Sequence, residues 1–205
     1  QSSRNSGVIH AGIYYKPDSL KAKLCVEGNK LLYDFCDTHN VPYSRTGKLI
    51  VATTSEEEKC LESLLERADE NGVPGVELVN ASEYEPNVCA HSALYVPTSG
   101  IVDSASLVSK IRELSTEVNF LDKSKVVWIN GNKVTLDSGE TFETDLIINA
   151  AGLYAEDIAK LANPQKSYGL IAFRGEAAKF YIREDTNVSM NVYPVPRKVV
   201  ENGET

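Results

Sequence analysis

The feature that most constrains this 205-residue chain is a polar, glycine-containing loop near its start, residues 4–15, RNSGVIHAGIYY. The loop has no apolar period that would make it a core element. Glycines permit close backbone approach, while free N–H groups, short polar side chains and a guanidinium suit an anionic group. The following segment, residues 16–19, predicts a turn and a helix start, and anions are favoured at a helix N-terminus.

Composition and charge restrict the class of partner. A net charge of −8 and a pI near 5.0 argue against broad binding to nucleic acid or to anionic membranes, although a locally basic pocket can still hold an acidic substrate. The hydrophobic share of 42% is ordinary for a globular domain. No apolar run approaches the roughly 20 residues that a transmembrane helix needs, so no membrane span is predicted.

The cysteines carry no CxxC spacing that would indicate a metal site or a redox motif. We predict that they are reduced, as in a cytoplasmic or mitochondrial protein, with a disulfide or metal pair as the less favoured alternative. No metal site is predicted. The four residues are Cys25, Cys36, Cys60 and Cys89.

Apolar spacing predicts helices and one strand in the first half of the chain. A long amphipathic helix runs from Ser19, with Asp18 or Ser19 as N-cap, to about His39. A short strand is predicted over residues 48–53. The remaining helical signals are a capping box of Ser55 with Glu58, a helical turn at residues 80–85 and a helix capped by Asp103.

The second half of the chain changes to a period of two. Strands at residues 125–130 and 133–136, joined by a tight Asn130-Gly131 turn, predict a hairpin. Residues 146–148 are apolar on both faces, which is typical of a buried parallel strand, and they lead into a short helix from about Ala155. Further strands are predicted at residues 170–173, 177–182 and 188–193.

Six short segments, together with the opening loop, carry a resemblance to a known family. They are GKLIVA (47–52), GVPG (72–75), GIVD (100–103), AAGLY (150–154), FRG (173–175) and YPVP (193–196). In this order they resemble the L-2-hydroxyglutarate dehydrogenase/oxidase family, which belongs to the FAD-dependent, D-amino-acid-oxidase-like superfamily. The resemblance covers nearly the whole chain and implies FAD as cofactor.

The resemblance also implies the fold class, which is mixed α/β and α+β. A partial Rossmann-like FAD-binding domain, residues 1–40 and 100–163, is interleaved with a partial antiparallel-sheet substrate domain, residues 41–99 and 164–205. The chain contains no GxG, whereas the family has a GxGxxG turn that the resemblance places ahead of Gln1. We therefore expect an internal fragment of a longer enzyme.

The resemblance assigns cofactor contacts to three places. The loop at the start of the chain approaches the pyrophosphate and the flavin ring, Val126 holds the adenine edge through its main chain, and AAG after the apolar strand acts as a second flavin fingerprint. The alternative for the loop is a surface segment that caps a helix. The implied cofactor-binding residues are Ser3, Arg4, Asn5, Ser6, Gly7, Val8, Val126, Ala150, Ala151 and Gly152.

His10, Arg174 and Tyr193 are the candidate catalytic residues. The surroundings of His10 also resemble a segment of more distant flavin enzymes in which the histidine is joined to the flavin. The imidazole could attach covalently, tune the ring or accept the substrate's hydroxyl proton, and a merely hydrogen-bonded histidine is an equal alternative. Arg174 could bind a substrate carboxylate or form a salt bridge, and Tyr193 could face the substrate or pack at a strand end.

The implied activity is oxidation of L-2-hydroxyglutarate, or a similar L-2-hydroxy acid, to the 2-oxo acid, with hydride transfer to flavin N5. Electrons then leave to a quinone-type acceptor or to oxygen. The alternatives are a superfamily enzyme acting on glycerol 3-phosphate or an amine, and a non-catalytic remnant or interaction module. A basic cluster beside the loop could draw in a dicarboxylate: Lys16, Lys21 and Lys23.

Overall fold

The computed structural model describes residues 4–165, 169–171, 175–176, 178, 181 and 187–196. The chain forms two compact units, the first made of residues 1–116 and 181–205 and the second of residues 117–180. This division follows contacts within the chain. The predicted division into FAD-binding and substrate-binding regions follows function and stays a prediction.

The first unit contains the long helix that the apolar period predicts. Ser19 is its N-cap and accepts a hydrogen bond from the Ala22 N–H at 3.2 Å, and Asn40 ends it in a left-handed conformation. The Asp103 carboxylate likewise caps its predicted helix by accepting from the Ala105 and Ser106 N–H groups. The helices of this unit are α1 (Leu20–His39), α2 (Ser55–Glu70), α3 (Ala81–Tyr84) and α4 (Ser104–Leu114).

The start of α2 corrects the predicted capping box of Ser55 and Glu58. The N-cap is Thr54, which has extended backbone angles and accepts from the Glu57 N–H, while Ser55 is already helical. The Glu57 carboxylate reaches back to the N–H and hydroxyl of Thr53 at 2.8 and 2.9 Å. The cap thus lies one residue earlier than predicted, and the returning carboxylate binds the residue before the N-cap rather than the N-cap itself.

Two sheets belong to the first unit. One has the antiparallel order β1 (Val8–Ile9), β6 (Gly100–Val102), β2 (Tyr43–Ser44). The other has the order β10 (Asn191–Pro194), β3 (Lys48–Ala52), β5 (Ser92–Tyr95), β4 (Glu77–Val79). The β10–β3 pair is parallel and the other pairs are antiparallel, so this sheet is mixed rather than wholly antiparallel.

Strand β3 is buried along its whole length and organises the core on both of its faces. Ile50 and Ala52 face the main core, which α2 covers with Leu61 and Leu64. Leu49 and Val51 pack into a second apolar cluster on the opposite face of the strand. Burial of each large aliphatic side chain contributes roughly 1.5–3 kcal/mol, so β3 is a main source of stability.

The second unit is an antiparallel meander followed by a helix. Its strands are β7 (Val126–Asn130), β8 (Lys133–Leu136) and β9 (Thr141–Glu143), and its helices are a 3₁₀ turn (Gly152–Tyr154) and α5 (Ala155–Ala162). The hairpin is confirmed, but its loop is Gly131-Asn132 rather than Asn130-Gly131. Asn130 still pairs with Lys133, and Gly131 takes the positive φ of +58° that the turn requires.

The predicted strand at residues 146–148 is wrong for the described chain. No strand is assigned there, and Leu146 and Ile148 are 72% and 79% exposed. A strand exists only where a neighbour supplies hydrogen bonds, and no described segment pairs with these residues. The predicted strand at 188–193 corresponds to β10, whereas those at 170–173 and 177–182 fall largely outside the described residues.

Candidate active site

The opening loop is held against the start of α4. Asn5 Oδ1 accepts the Gly7 N–H at 2.8 Å, and Asn5 Nδ2 donates to Ser104 Oγ at 3.1 Å. Gly7 has a φ of +66°, and a Cβ there would lie 3.2 Å from the Val102 carbonyl oxygen. Arg4, Asn5 and Ser6 remain exposed, so the loop presents polar groups on a fixed backbone. Ser3 lies outside the described residues.

The second part of the loop, residues 9–15, is fixed by side-chain amides from two helix regions. Asn29 Nδ2, on α1, donates to the His10 carbonyl at 3.0 Å. Asn71 Nδ2, at the end of α2, donates to the carbonyls of Gly12 and Tyr15 at 3.0 Å each. These bonds use only backbone oxygens of the segment. The exposed imidazole of His10 is therefore left to interact with other groups.

A buried ammonium group lies beside this segment. Lys48 opens β3 on the same strand face as Ile50 and is 1% exposed. Its Nζ lies 4.5 Å from the ring centroid of Tyr193 and 5.2 Å from that of Tyr14. Within the described parts of the chain, no carboxylate forms a salt bridge with it. We name Tyr14, Lys48 and Tyr193 the lysine cage.

Burial and mutual charge determine the protonation of the groups around the cage. Burial lowers the pKa of Lys48 to about 8 and, with the neighbouring Tyr193, raises the pKa of Tyr14 to about 12. Partial burial and the Lys48 charge both lower the pKa of His10, so its imidazole is neutral near pH 7. Burial raises the pKa of the Cys25 thiol, although the Lys48 charge opposes this rise.

The structure thus brings two of the three candidate catalytic residues, His10 and Tyr193, into the surroundings of Lys48. Sequence reasoning treated Lys48 only as the start of a strand. A lysine at the head of the otherwise apolar run KLIVA was the available signal. Arg174 lies outside the described residues. The Nε2 of His91 lies 3.5 Å from a Glu58 carboxylate oxygen.

The second unit holds the other predicted cofactor residues. Val126 and Ala151 line one cleft of about 760 Å³ between the start of β7 and α5. Asn149 fixes the turn beneath it, accepting the Ala151 N–H at 3.2 Å and donating to the Ala155 carbonyl at 2.7 Å. Gly152 has a φ of +56°, and no atom lies within 4 Å of the position of its Cβ. A roomy cleft with a small-residue turn fits the close approach of a flat nucleotide ring.

In residues 4–165 and the shorter described segments, no three His, Cys, Asp or Glu side chains converge to bind a metal ion. The same residues include no helix whose length and apolar character would let it span a membrane. The four cysteines are free thiols, of which only Cys36 is fully buried.

A family model described as FAD-dependent oxidoreductase (DAO) matches residues 1–204, and the chain belongs to this family of flavoproteins. Among its relatives, L-2-hydroxyglutarate dehydrogenase of Indibacter alkaliphilus is 40% identical over 206 residues, covering 96% of this chain and 51% of the relative. The mitochondrial L-2-hydroxyglutarate dehydrogenase of Homo sapiens is 35% identical over 96% of this chain and 47% of its own length. The chain spans about half the length of these relatives.

Solved structures agree with this family. L-α-glycerophosphate oxidase of Mycoplasma pneumoniae with FAD bound has a TM-score of 0.70 and 27% identity, covering 78% of this chain and 46% of the oxidase. Glycine oxidase of Geobacillus kaustophilus has a TM-score of 0.66 at 21% identity, covering 78% of this chain and 47% of its own, and shows the fold alone. The predicted family resemblance, mixed fold class and FAD cofactor are confirmed.

Proposed function

We propose that this chain forms part of a flavoprotein that oxidises L-2-hydroxyglutarate to 2-oxoglutarate. The observation that carries the proposal is its 35–40% identity to L-2-hydroxyglutarate dehydrogenases over 96% of the chain. The segment around His10 lies within that similarity. A fixed backbone, a neutral imidazole and a buried cation are what a proton-abstracting site for an acidic substrate needs.

The oxidation removes a hydride from C2 and a proton from the C2 hydroxyl, and a C=O bond forms. When bound, FAD supplies the acceptor for the hydride at N5. His10 accepts the hydroxyl proton, for which an unprotonated imidazole is required. Tyr193 lines the substrate side of the site, and Arg174 is available to bind a carboxylate.

Cofactor contacts are proposed for two groups of residues. Residues 3–8, of which Arg4, Asn5 and Ser6 are exposed, contact the pyrophosphate and flavin ring through N–H groups and short side chains. The cleft beside Val126 and Ala151 holds the adenosine end, and Ala150 and Gly152 keep the backbone small there.

A second substrate, glycerol 3-phosphate, is favoured by one observation. The glycerophosphate oxidase of Mycoplasma pneumoniae shares 27% identity with this chain, a value above that of the glycine oxidase. Both substrates are anionic secondary alcohols, so the same proton acceptor and a cationic site serve either. They differ in that one carries two carboxylates and the other a phosphate.

The test is anaerobic flavin reduction in the protein produced from the complete reading frame. L-2-hydroxyglutarate, its D enantiomer, glycerol 3-phosphate and glycine are mixed separately with the oxidised protein, and bleaching of the flavin is followed. We expect rapid bleaching with L-2-hydroxyglutarate and a fall of about 100-fold in that rate for His10→Gln. Bleaching by glycerol 3-phosphate or glycine alone would reject the proposed substrate.

The electron acceptor and the cellular compartment of the enzyme are also proposals. We propose that the acceptor is a quinone or oxygen. Steady-state assays with a quinone analogue, carried out under nitrogen and under air, would distinguish the two acceptors. Several relatives are named as mitochondrial and others are bacterial, so we propose a reducing compartment of either kind. The alternative of a non-catalytic module predicts no flavin reduction by any of these substrates.

A further inference from the structure

Among the residues that the structure describes, none supplies an anion to the positive charge buried in the lysine cage. Lys48 is 1% exposed, and none of the described carboxylates lies within ion-pair distance of its Nζ. An isolated buried ammonium is costly, and proteins normally pair such a charge. The rings of Tyr14 and Tyr193 provide only their electron-rich faces, which attract a cation but carry no negative charge.

The position of Lys48 in the sheet explains why the charge is so confined. Its side chain lies on the face of β3 that carries Ile50 and Ala52, at the end of the main core. The parallel neighbour β10 brings Tyr193, paired with Ile50, to one side of the ammonium. The segment that follows His10 brings the Tyr14 ring centroid to 5.2 Å from the same ammonium. Both tyrosines are half-buried, and the Lys48 charge acts on the exposed imidazole of His10.

From this placement we propose that the lysine cage is the carboxylate-recognition site of the enzyme, with the Lys48 ammonium attracting one carboxylate of the dicarboxylate substrate beside His10. The inference rests on the proposed function and names a residue for its anionic specificity. It places the principal cation in the cage rather than in the exposed lysines near the loop. Low polarity around the cage strengthens the attraction, because water screens a buried charge poorly.

The experiment compares Lys48→Met with Lys59→Met in the FAD-loaded protein from the complete reading frame. Methionine keeps the length and apolar character of the lysine stem, and Lys59 is an exposed lysine on α2 that serves as matched control. We expect Lys48→Met to raise KM for L-2-hydroxyglutarate by about 10- to 100-fold with a change in kcat below about threefold. Lys59→Met should leave both constants unchanged.

A second measurement does not depend on turnover. Lysine ¹³Cε resonances of the wild-type protein are titrated with pH in the absence and presence of glutarate, and the Lys48 signal is assigned by its loss in Lys48→Met. A carboxylate in the cage stabilises the ammonium, so saturating glutarate should raise the pKa of Lys48. Inorganic phosphate at the same concentration should have a smaller effect.

The outcomes separate the two proposals. If L-2-hydroxyglutarate is not oxidised but glutarate still moves the Lys48 resonance, the substrate assignment fails and the carboxylate site stands. If the substrate is oxidised and a folded Lys48→Met has an unchanged KM, the carboxylate site is wrong. An unmoved Lys48 resonance at saturating glutarate overturns it as well.

Discussion

Replacing Lys48 by methionine should stabilise the protein at neutral pH. The pKa of Lys48 falls from 10.5 to about 8 in the fold, a difference of about 2.5. At about 1.4 kcal/mol for each tenfold change, burial of this charge lowers the free energy of unfolding by about 3.5 kcal/mol below pH 8. Cation–π attraction to the two tyrosine rings offsets about 1–2 kcal/mol. We expect Lys48→Met to raise the free energy of unfolding by about 1.5–2.5 kcal/mol near pH 7.

The stability that Lys48→Met gains over the wild-type protein must fall as pH rises. Between pH 8 and pH 10.5 the unfolded chain holds the Lys48 proton more tightly than the folded chain. The wild-type protein therefore becomes more stable as pH rises through this window, because the unfolded state binds more protons. Lys48→Met has no such group. Its advantage should be complete below pH 8 and should disappear as pH approaches 10.5.

The measurement is urea unfolding, followed by circular dichroism, of Lys48→Met and the matched Lys59→Met variant at intervals from about pH 6 to pH 10. Apart from His10 and Cys25, whose pKa values depend on the Lys48 charge, the other groups titrate equally in both variants, so the difference between them chiefly reports Lys48. A Lys48→Met variant less stable than the control at pH 7 would refute the assignment of an unpaired buried charge. A difference that stays constant over pH would refute it too.

Three further results are expected. Gly12→Ala should lower the free energy of unfolding by about 2–3 kcal/mol, because φ is +98° and the new Cβ would lie 2.9 Å from a methyl of Val26. Gly72→Ala, where φ is +70° and no atom is near the new Cβ, should lower it by only about 1 kcal/mol. Equal shifts in the thermal midpoints of the two variants would contradict this. Glu85→Gln should lower the free energy of unfolding, measured by chemical denaturation, by about 1–2 kcal/mol, because one buried carboxylate oxygen of Glu85 accepts three 2.7 Å hydrogen bonds. An unchanged free energy of unfolding would show that the charge of Glu85 is unimportant. Replacing all three lysines of the basic cluster, Lys16, Lys21 and Lys23, by alanine should raise KM a few-fold at low salt but not at roughly 0.5 M salt. A KM that is unchanged at both salt concentrations would show that the cluster has only a structural role.

Sequence reasoning succeeded where the cause of structure is local. The limits of α1 follow from the hydroxyl of Ser19 and the apolar period after it, and the cap at Asp103 acts within three residues. The hairpin of β7 and β8 is similarly local. Even the misplaced capping box was wrong by a single residue, because two adjacent hydroxyls, Thr54 and Ser55, both satisfy the pattern.

The predictions that failed depend on contacts between residues that are far apart in the sequence. An apolar run at 146–148 has the composition of a buried strand, but composition cannot supply the neighbour that a strand requires. The parallel pairing of β10 with β3 joins residues about 140 positions apart and leaves no local signal. That pairing brings Tyr193 to Lys48, so the cage could not be assembled from the sequence, although His10 and Tyr193 were chosen separately.

The energetic cost of burying Lys48 is linked to its proposed use. An apolar residue at the end of β3 would continue the buried strand without a charge, so stability alone gives no reason for a lysine there. Near pH 7, an anion that enters the cage removes the part of this cost that the tyrosine rings do not offset, and that free energy then contributes to binding. By linkage, a carboxylate that raises the pKa of Lys48 must itself bind more tightly when Lys48 is protonated. Stability, proton binding and dicarboxylate affinity are thus three measurements of one electrostatic interaction.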